Sequence, residues 1–248
     1  MARDFNGSTD HLRRGTVPVS GLPLTIACIA NLDNITAQHY LVSFGDTAGN
    51  TNYLALIAKG DVAGDPIRAA YVTGGSPVQA DTSTGYSLGT DHHVCAVFES
   101  TTSRSVYIDG GSKGTDTTSK DYPSGIDAMA VGRLERSSPA AYTNGRVSHV
   151  AIWNVALTDG EVAALAAGAS PLTVRAQSLV AFWPIIGNNS PEIDIVGGYD
   201  LTVSGATKFA HPRIYQPIAQ ILQFPPTAAA PAATIPIFVN HYRNQGIM

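Results

Sequence analysis

Glutamate and lysine are both scarce in this chain, and charged side chains make up only 14% of its 248 residues. The four lysines are Lys59, Lys113, Lys120 and Lys208, and the net charge is −4, so no basic face for a nucleic-acid backbone is expected. No apolar run approaches the ~18 residues that a membrane span requires, so the expectation is a soluble chain with no membrane partner. The opening Met1-Ala2-Arg3-Asp4-Phe5 has no apolar stretch of signal-peptide type, and cytoplasmic synthesis is expected. There are two cysteines, Cys28 and Cys95, each inside an apolar segment. A bond between them is open if their strands face each other, whereas two buried thiols suit a chain without an export signal.

The shortage of glutamate bears on catalysis. Glu99, Glu135, Glu161 and Glu192 are the whole set, and none is paired with an aspartate two or four residues away within a predicted strand. A sandwich glycosidase needs two carboxylates facing one cleft, so no enzyme activity is expected. His92 and His93 are adjacent, point to opposite faces of a strand and cannot hold one ion together. His11, His39, His149, His211 and His241 are scattered. No cofactor is expected. Calcium is the weaker alternative, with Asp46, Asp61 and Asp65 as loop oxygen donors, although loop aspartates serve first as turn formers.

Short apolar segments are plentiful: Leu24 to Ala30, Tyr40 to Phe44, Tyr53 to Ile57, Val94 to Phe98, Ser105 to Ile108 and Val147 to Trp153. Each has strand length and is rich in β-branched or aromatic residues. Between them stand turn signals at Gly45-Asp46, Gly74-Gly75, Asp109-Gly110-Gly111 and Asn144-Gly145. The expected fold is all-β, an antiparallel sandwich, with one short helix. The helix begins at Thr158-Asp159-Gly160-Glu161, a capping box with Leu157 and Val162 as hydrophobic staple, and Gly168 offers its stop. Trp153 and Trp183 lie among apolar residues and read as core. Tyr86, Tyr122 and Tyr142 lie in polar loops and are the candidate glycan contacts.

From about Gln216 the composition changes to an acid-free stretch with Pro217, Pro225, Pro226, Pro231 and Pro236. It reads as an extended arm, so the chain divides into a sandwich, 1–213, and a Pro/Ala-rich arm, 214–248. The arm's apolar residues, Ile218, Ile221, Leu222, Phe224, Ile235, Ile237, Phe238 and Val239, are the candidate partner contacts.

Several segments together resemble the laminin-G-like, concanavalin A-like jelly-roll family. They are Phe5-Asn6-Gly7-Ser8-Thr9-Asp10, His92 to Phe98, Ser105 to Gly110, Val131-Gly132-Arg133 and, most specifically, Asn144 to Glu161. In that last stretch Val147, His149, Ala151 and Trp153 are expected on one strand face, with Val150 and Ile152 on the other. Asp91 stands where the family often has tryptophan, and Ser148 where it often has an acidic residue. Leu179 to Pro184, then Asp194, Gly197-Gly198 and Asp200-Leu201-Thr202, look like the family's opening strands placed last. The chain therefore reads as circularly permuted, with residues 179 to 209 completing the sheet beside the N-terminal strand. Permuted versions of this kind are similar to structural proteins of tailed bacteriophages. The resemblance thus implies a virion protein, foremost a capsid decoration protein. It would assemble in the host bacterial cytoplasm, and its partners would be the major capsid protein, other virion proteins and sister copies. A carbohydrate-binding receptor module of a tail or fibre is the alternative, and a glycoside hydrolase the third reading.

Overall fold

The computed structural model describes residues 2–187 and 189–210. In chain order the strands are β1 Ala2–Asn6, β2 His11–Arg14, β3 Leu24–Leu32, β4 Gln38–Gly45 and β5 Tyr53–Lys59. They continue with β6 Pro66–Thr73, β7 Ser76–Gly85, β8 His92–Ser100, β9 Ser103–Ile108 and β10 Gly111–Asp116. The last five are β11 Ala128–Val131, β12 Asn144–Trp153, β13 Leu179–Trp183, β14 Thr202–Ser204 and β15 Thr207–Phe209. A single α-helix among the described residues, α1 Asp159–Ala166, lies between β12 and β13.

All pairings are antiparallel and form two sheets. The eight-stranded sheet runs β10-β9-β8-β3-β12-β1-β15, with β13 also on β12, and the seven-stranded sheet runs β14-β2-β11-β4-β5-β6-β7. Alternate residues of both sheets meet in one core, where Phe5, Leu12, Ile26, Phe44, Phe98 and Trp183 are fully buried. The closing segment completes the sheet beside the N-terminal strand, as expected, and adds a strand to the other sheet as well. β13 extends the flank of β12 that β1 begins, β15 pairs with β1, and β14 pairs with β2.

The expected strands are all present, and the helix has the predicted cap. The Thr158 hydroxyl accepts from the Glu161 amide, and the Glu161 carboxylate accepts from the Thr158 amide at 2.8 Å. Leu157, Val162 and Leu165 then bury on the outer face of the eight-stranded sheet with Cys95, Val97, Tyr107 and Trp153.

Two local expectations are corrected, and the cysteine question is resolved toward buried thiols. Strict alternation fails in β12, where the register shifts between Ser148 and Ala151 and His149 takes φ +51°. That bulge turns Val147, Val150 and Ile152 all to the core, with Ala151 and Trp153 outside. Asn144-Gly145 makes no turn but starts β12. Gly145 is needed there because a Cβ would lie 2.4 Å from the Asn31 carbonyl oxygen. Cys28 faces the core between the sheets, and Cys95, on the neighbouring strand, faces outward beneath α1. Both are buried free thiols, pushed above the ordinary thiol range by burial, so the open disulfide is not made.

Candidate functional site

Sheet alternation selects what the outer face of the seven-stranded sheet can present. Leu12 of β2 points into the core, so His11 and Arg13 point out. Across the pairing, Thr202 of β14 stands beside Arg13 and Ser204 beside His11. These side chains, with Arg14 and Asp200, line a cleft of about 300 Å³ at the sheet's edge.

A buried carboxylate holds the cleft's main cation. Glu135, fully buried, accepts from Arg13 Nε at 2.8 Å through one oxygen and from Arg133 NH2 at 2.8 Å through the other. It reaches this place because the segment after β11 folds back over β4. Ser43 Oγ donates to the Arg133 carbonyl and accepts from the Glu135 amide. The crossing is close: a Cβ on Gly45 would lie 1.8 Å from the Glu135 carbonyl oxygen. With Nε fixed, Arg13 keeps both terminal nitrogens free of bonds to the described residues, and its side chain is 38% exposed. Arg14 stacks on the Tyr199 ring at 5.1 Å and donates to the Asp200 carbonyl. Arg13, Arg14 and Arg133 stand here with Glu135 and Asp200, and Asp127 lies within electrostatic reach of Arg13.

His11 supplies an acceptor. Its Nδ1 lies 2.8 Å from the Thr9 carbonyl, which can only accept, so Nδ1 carries the proton and Nε2 is left as an acceptor. Burial, with Arg133 and Arg13 close by, holds its pKa below the usual histidine value. The Tyr142 ring meets the imidazole edge-on at 6.3 Å.

Of the three candidate tyrosines, only Tyr142 comes near this cleft, behind His11 and not in its lining. The polar-loop reading of the other two is corrected. Tyr86 is buried in the core and its hydroxyl donates to the Asn34 carbonyl at 2.9 Å. Tyr122 packs against the same core, edge-on to Tyr71. Burial raises both phenols above their ordinary pKa. Their polar neighbours suggested exposure, while the fold turns the rings inward. The arginine–glutamate cluster had no sequence signal, since its members come from β2 and a loop 120 residues later.

The calcium candidates do not converge. Asp46 accepts from the Ala48 amide in a turn, Asp61 pairs with Lys59 at 2.9 Å, and Asp65 takes φ +47° in a loop. No group of three acidic, histidine or cysteine side chains able to hold a metal occurs among the described residues. Each glutamate has a structural bond: Glu99 with Ser103, Glu135 with its two arginines, Glu161 in the cap and Glu192 with Arg3 at 2.7 Å. Ile218, Ile221, Leu222, Phe224, Ile235, Ile237, Phe238 and Val239 lie outside the described residues.

A family model described as the concanavalin A-like lectin/glucanases superfamily matches residues 6–163. No curated protein matches the sequence. Among solved structures, a candidate carbohydrate binding protein from Bacteroides ovatus is similar at 17% identity and TM-score 0.57, over 86% of this chain and 62% of that one. The CBM40 of Ruminococcus gnavus IT-sialidase, bound to α2,3-sialyllactose, is similar at 12% identity and TM-score 0.52, over 67% of this chain and 98% of that one. Domain 4 of the arabinanase AbnA from Geobacillus stearothermophilus, in complex with arabinotriose, follows at 18% identity and TM-score 0.50, over 60% and 68%. The shared fold is lectin-like.

Proposed function

The chain belongs to the concanavalin A-like lectin/glucanase superfamily, and from that membership we propose that it is a non-catalytic carbohydrate-binding module whose cleft beside β14 takes an acidic sugar. One observation carries the choice of ligand. Arg13 is anchored through Nε on buried Glu135 and offers its two terminal nitrogens to the cleft, a fork that matches a carboxylate. The Thr202 and Ser204 hydroxyls and the free nitrogen of His11 supply partners for sugar hydroxyls, and Tyr142 packs edge-on behind His11. The sialyllactose on the Ruminococcus gnavus domain supports an acidic glycan on this fold. The engagement of all four glutamates supports binding without bond cleavage.

A glycan array carrying sialylated, uronic-acid and neutral oligosaccharides tests this. Binding to an acid-bearing glycan is expected, weakened roughly tenfold or more by Arg13→Ala and less by Arg13→Lys. Acid-glycan binding indifferent to Arg13→Ala, or turnover of any arrayed glycan, overturns the reading.

A second reading keeps the module on a virion, where the acid-free, proline-interrupted sequence of 216–248 would hold it to a capsid or sister chain. The two are compatible, since a decorating subunit can also bind glycans.

A further inference from the structure

The outer face of the eight-stranded sheet carries α1 at one end, and at the other a cleft opens among the described residues. At that second end, strand register builds two rows of side chains. Asn31 of β3, Arg146 of β12, Asp4 of β1 and Thr207 of β15 are successive cross-strand neighbours. Beside them run His93 of β8, Ile29 of β3 and Ser148 of β12, with Ala2 and Phe209 paired further along. Asn31, Asp91, Arg146, Ser148 and Phe209 wall a cleft of about 130 Å³. At ~30 Å³ per water that is room for about four waters, or the edge of one sugar ring.

This face is chemically incomplete. Seven buried side-chain polar atoms among the described residues lack a hydrogen-bond partner, and four lie in these two rows: Asn31 Oδ1, Arg146 Nε, Asp4 Oδ1 and His93 Nδ1. Leaving such an atom unsatisfied costs about 1–3 kcal/mol, so their concentration on one face calls for a ligand. Asn31 is only 6% exposed, and its amide nitrogen is already committed to Asp91 at 2.9 Å, which leaves its buried oxygen without a partner in the wall of the cleft. Arg146 Nε and Asp4 Oδ1 stand 3.8 Å apart, too far to bond each other. A hydroxyl seated beside them would accept from one and donate to the other. The Arg146 guanidinium lies over the Phe209 ring at 3.8 Å, and that ring is 40% exposed at the rim.

Charge decides the class of ligand. Among the described residues Asp4, Asp33 and Asp91 stand around the one cation Arg146, so the face disfavours anions, and its unpaired atoms mix two acceptors, Asn31 Oδ1 and Asp4 Oδ1, with the donor Arg146 Nε and an imidazole nitrogen. Hydroxyl groups satisfy that set and carboxylates do not. We propose that this cleft is a second carbohydrate site, taking the edge of an uncharged sugar, on the sheet opposite the acidic-sugar cleft. It rests on the carbohydrate-binding reading for its ligand class but on separate residues.

The test uses the full chain on gluco-, galacto-, manno-, xylo- and arabino-oligosaccharides and on sialyllactose, up to about 1 mM. Asn31→Ala and Phe209→Ala, each checked by thermal melting, should cut binding of a neutral sugar roughly tenfold or more and leave sialyllactose unchanged. Arg13→Ala should do the reverse. Phe209 is a rim residue, so its variant keeps the test usable if Asn31→Ala fails to fold. The inference is overturned if sialyllactose binds and no neutral sugar does, or if neutral binding survives both cleft variants. Absence of binding to every sugar overturns it together with the parent reading.

Discussion

An imidazole stays neutral when desolvation costs its cation more than nearby charges return. His93, half-buried on β8, is in that position. Burial lowers its pKa to about 4 against the smaller opposing pull of Asp109. An unfolded histidine titrates near 6.5, so the unfolded chain takes the proton more readily. The stability linked to His93 is therefore complete above about pH 6.5 and drains away as pH falls toward 4, on the order of 3 kcal/mol. Urea unfolding at pH 7 and 4.5 should show a larger loss in the wild type than in His93→Gln; equal losses would refute this account. Residue identity alone did not reveal such environments. Tyr86, Tyr122 and Tyr142 all sit among polar neighbours, yet Tyr86 and Tyr122 pack into the core and only Tyr142 comes beside a cleft residue, His11, because orientation depends on what packs opposite each ring. Glu192 and Asp194 show the same limit in reverse. They are buried while Ile193 and Ile195 are exposed, since Asp194 accepts the amides of Phe182, Val196, Gly197 and Tyr199.

Elements whose determinants are local were legible. α1 is specified within a dozen residues by its cap, staple and Gly168, which takes φ +97°. Thr158→Ala removes the hydroxyl that accepts the Glu161 amide and should lower stability by about 1 kcal/mol, or roughly 2–4 °C in Tm. A calorimetric melt checks it, and an unchanged midpoint would show that the cap contributes nothing. Elements with non-local determinants were not legible. β7 and β10 carry SPVQADTSTG and GSKGTD, with no apolar run, and exist because their partners β6 and β9 offer edges. The β12 bulge is invisible in a sequence that alternates on paper, because only the pairing with β3 exposes the extra residue.

For the molecule as a whole, the sandwich and the late position of its closing strands followed from segment order, while both clefts did not. Each cleft joins residues nearly 200 positions apart, such as His11 with Ser204 and Ala2 with Phe209, and no local pattern announces such a meeting. Both sheets are closed by Phe209, so a chain ending at residue 213 should match the full chain in circular dichroism and urea unfolding. Under the virion reading it should no longer enter particles. An unfolded truncation, or one that still decorates particles fully, would contradict the corresponding claim. The Arg3–Glu192 pair gives this closure a place in time. Of the two partners of β1, β15 lies about 200 residues further along the chain. At ~5–20 residues per second, synthesis leaves β1 without that neighbour for about 10–40 s. Closure of that sheet therefore waits on the chain's own synthesis, and contacts of β1 made before then must be with other segments.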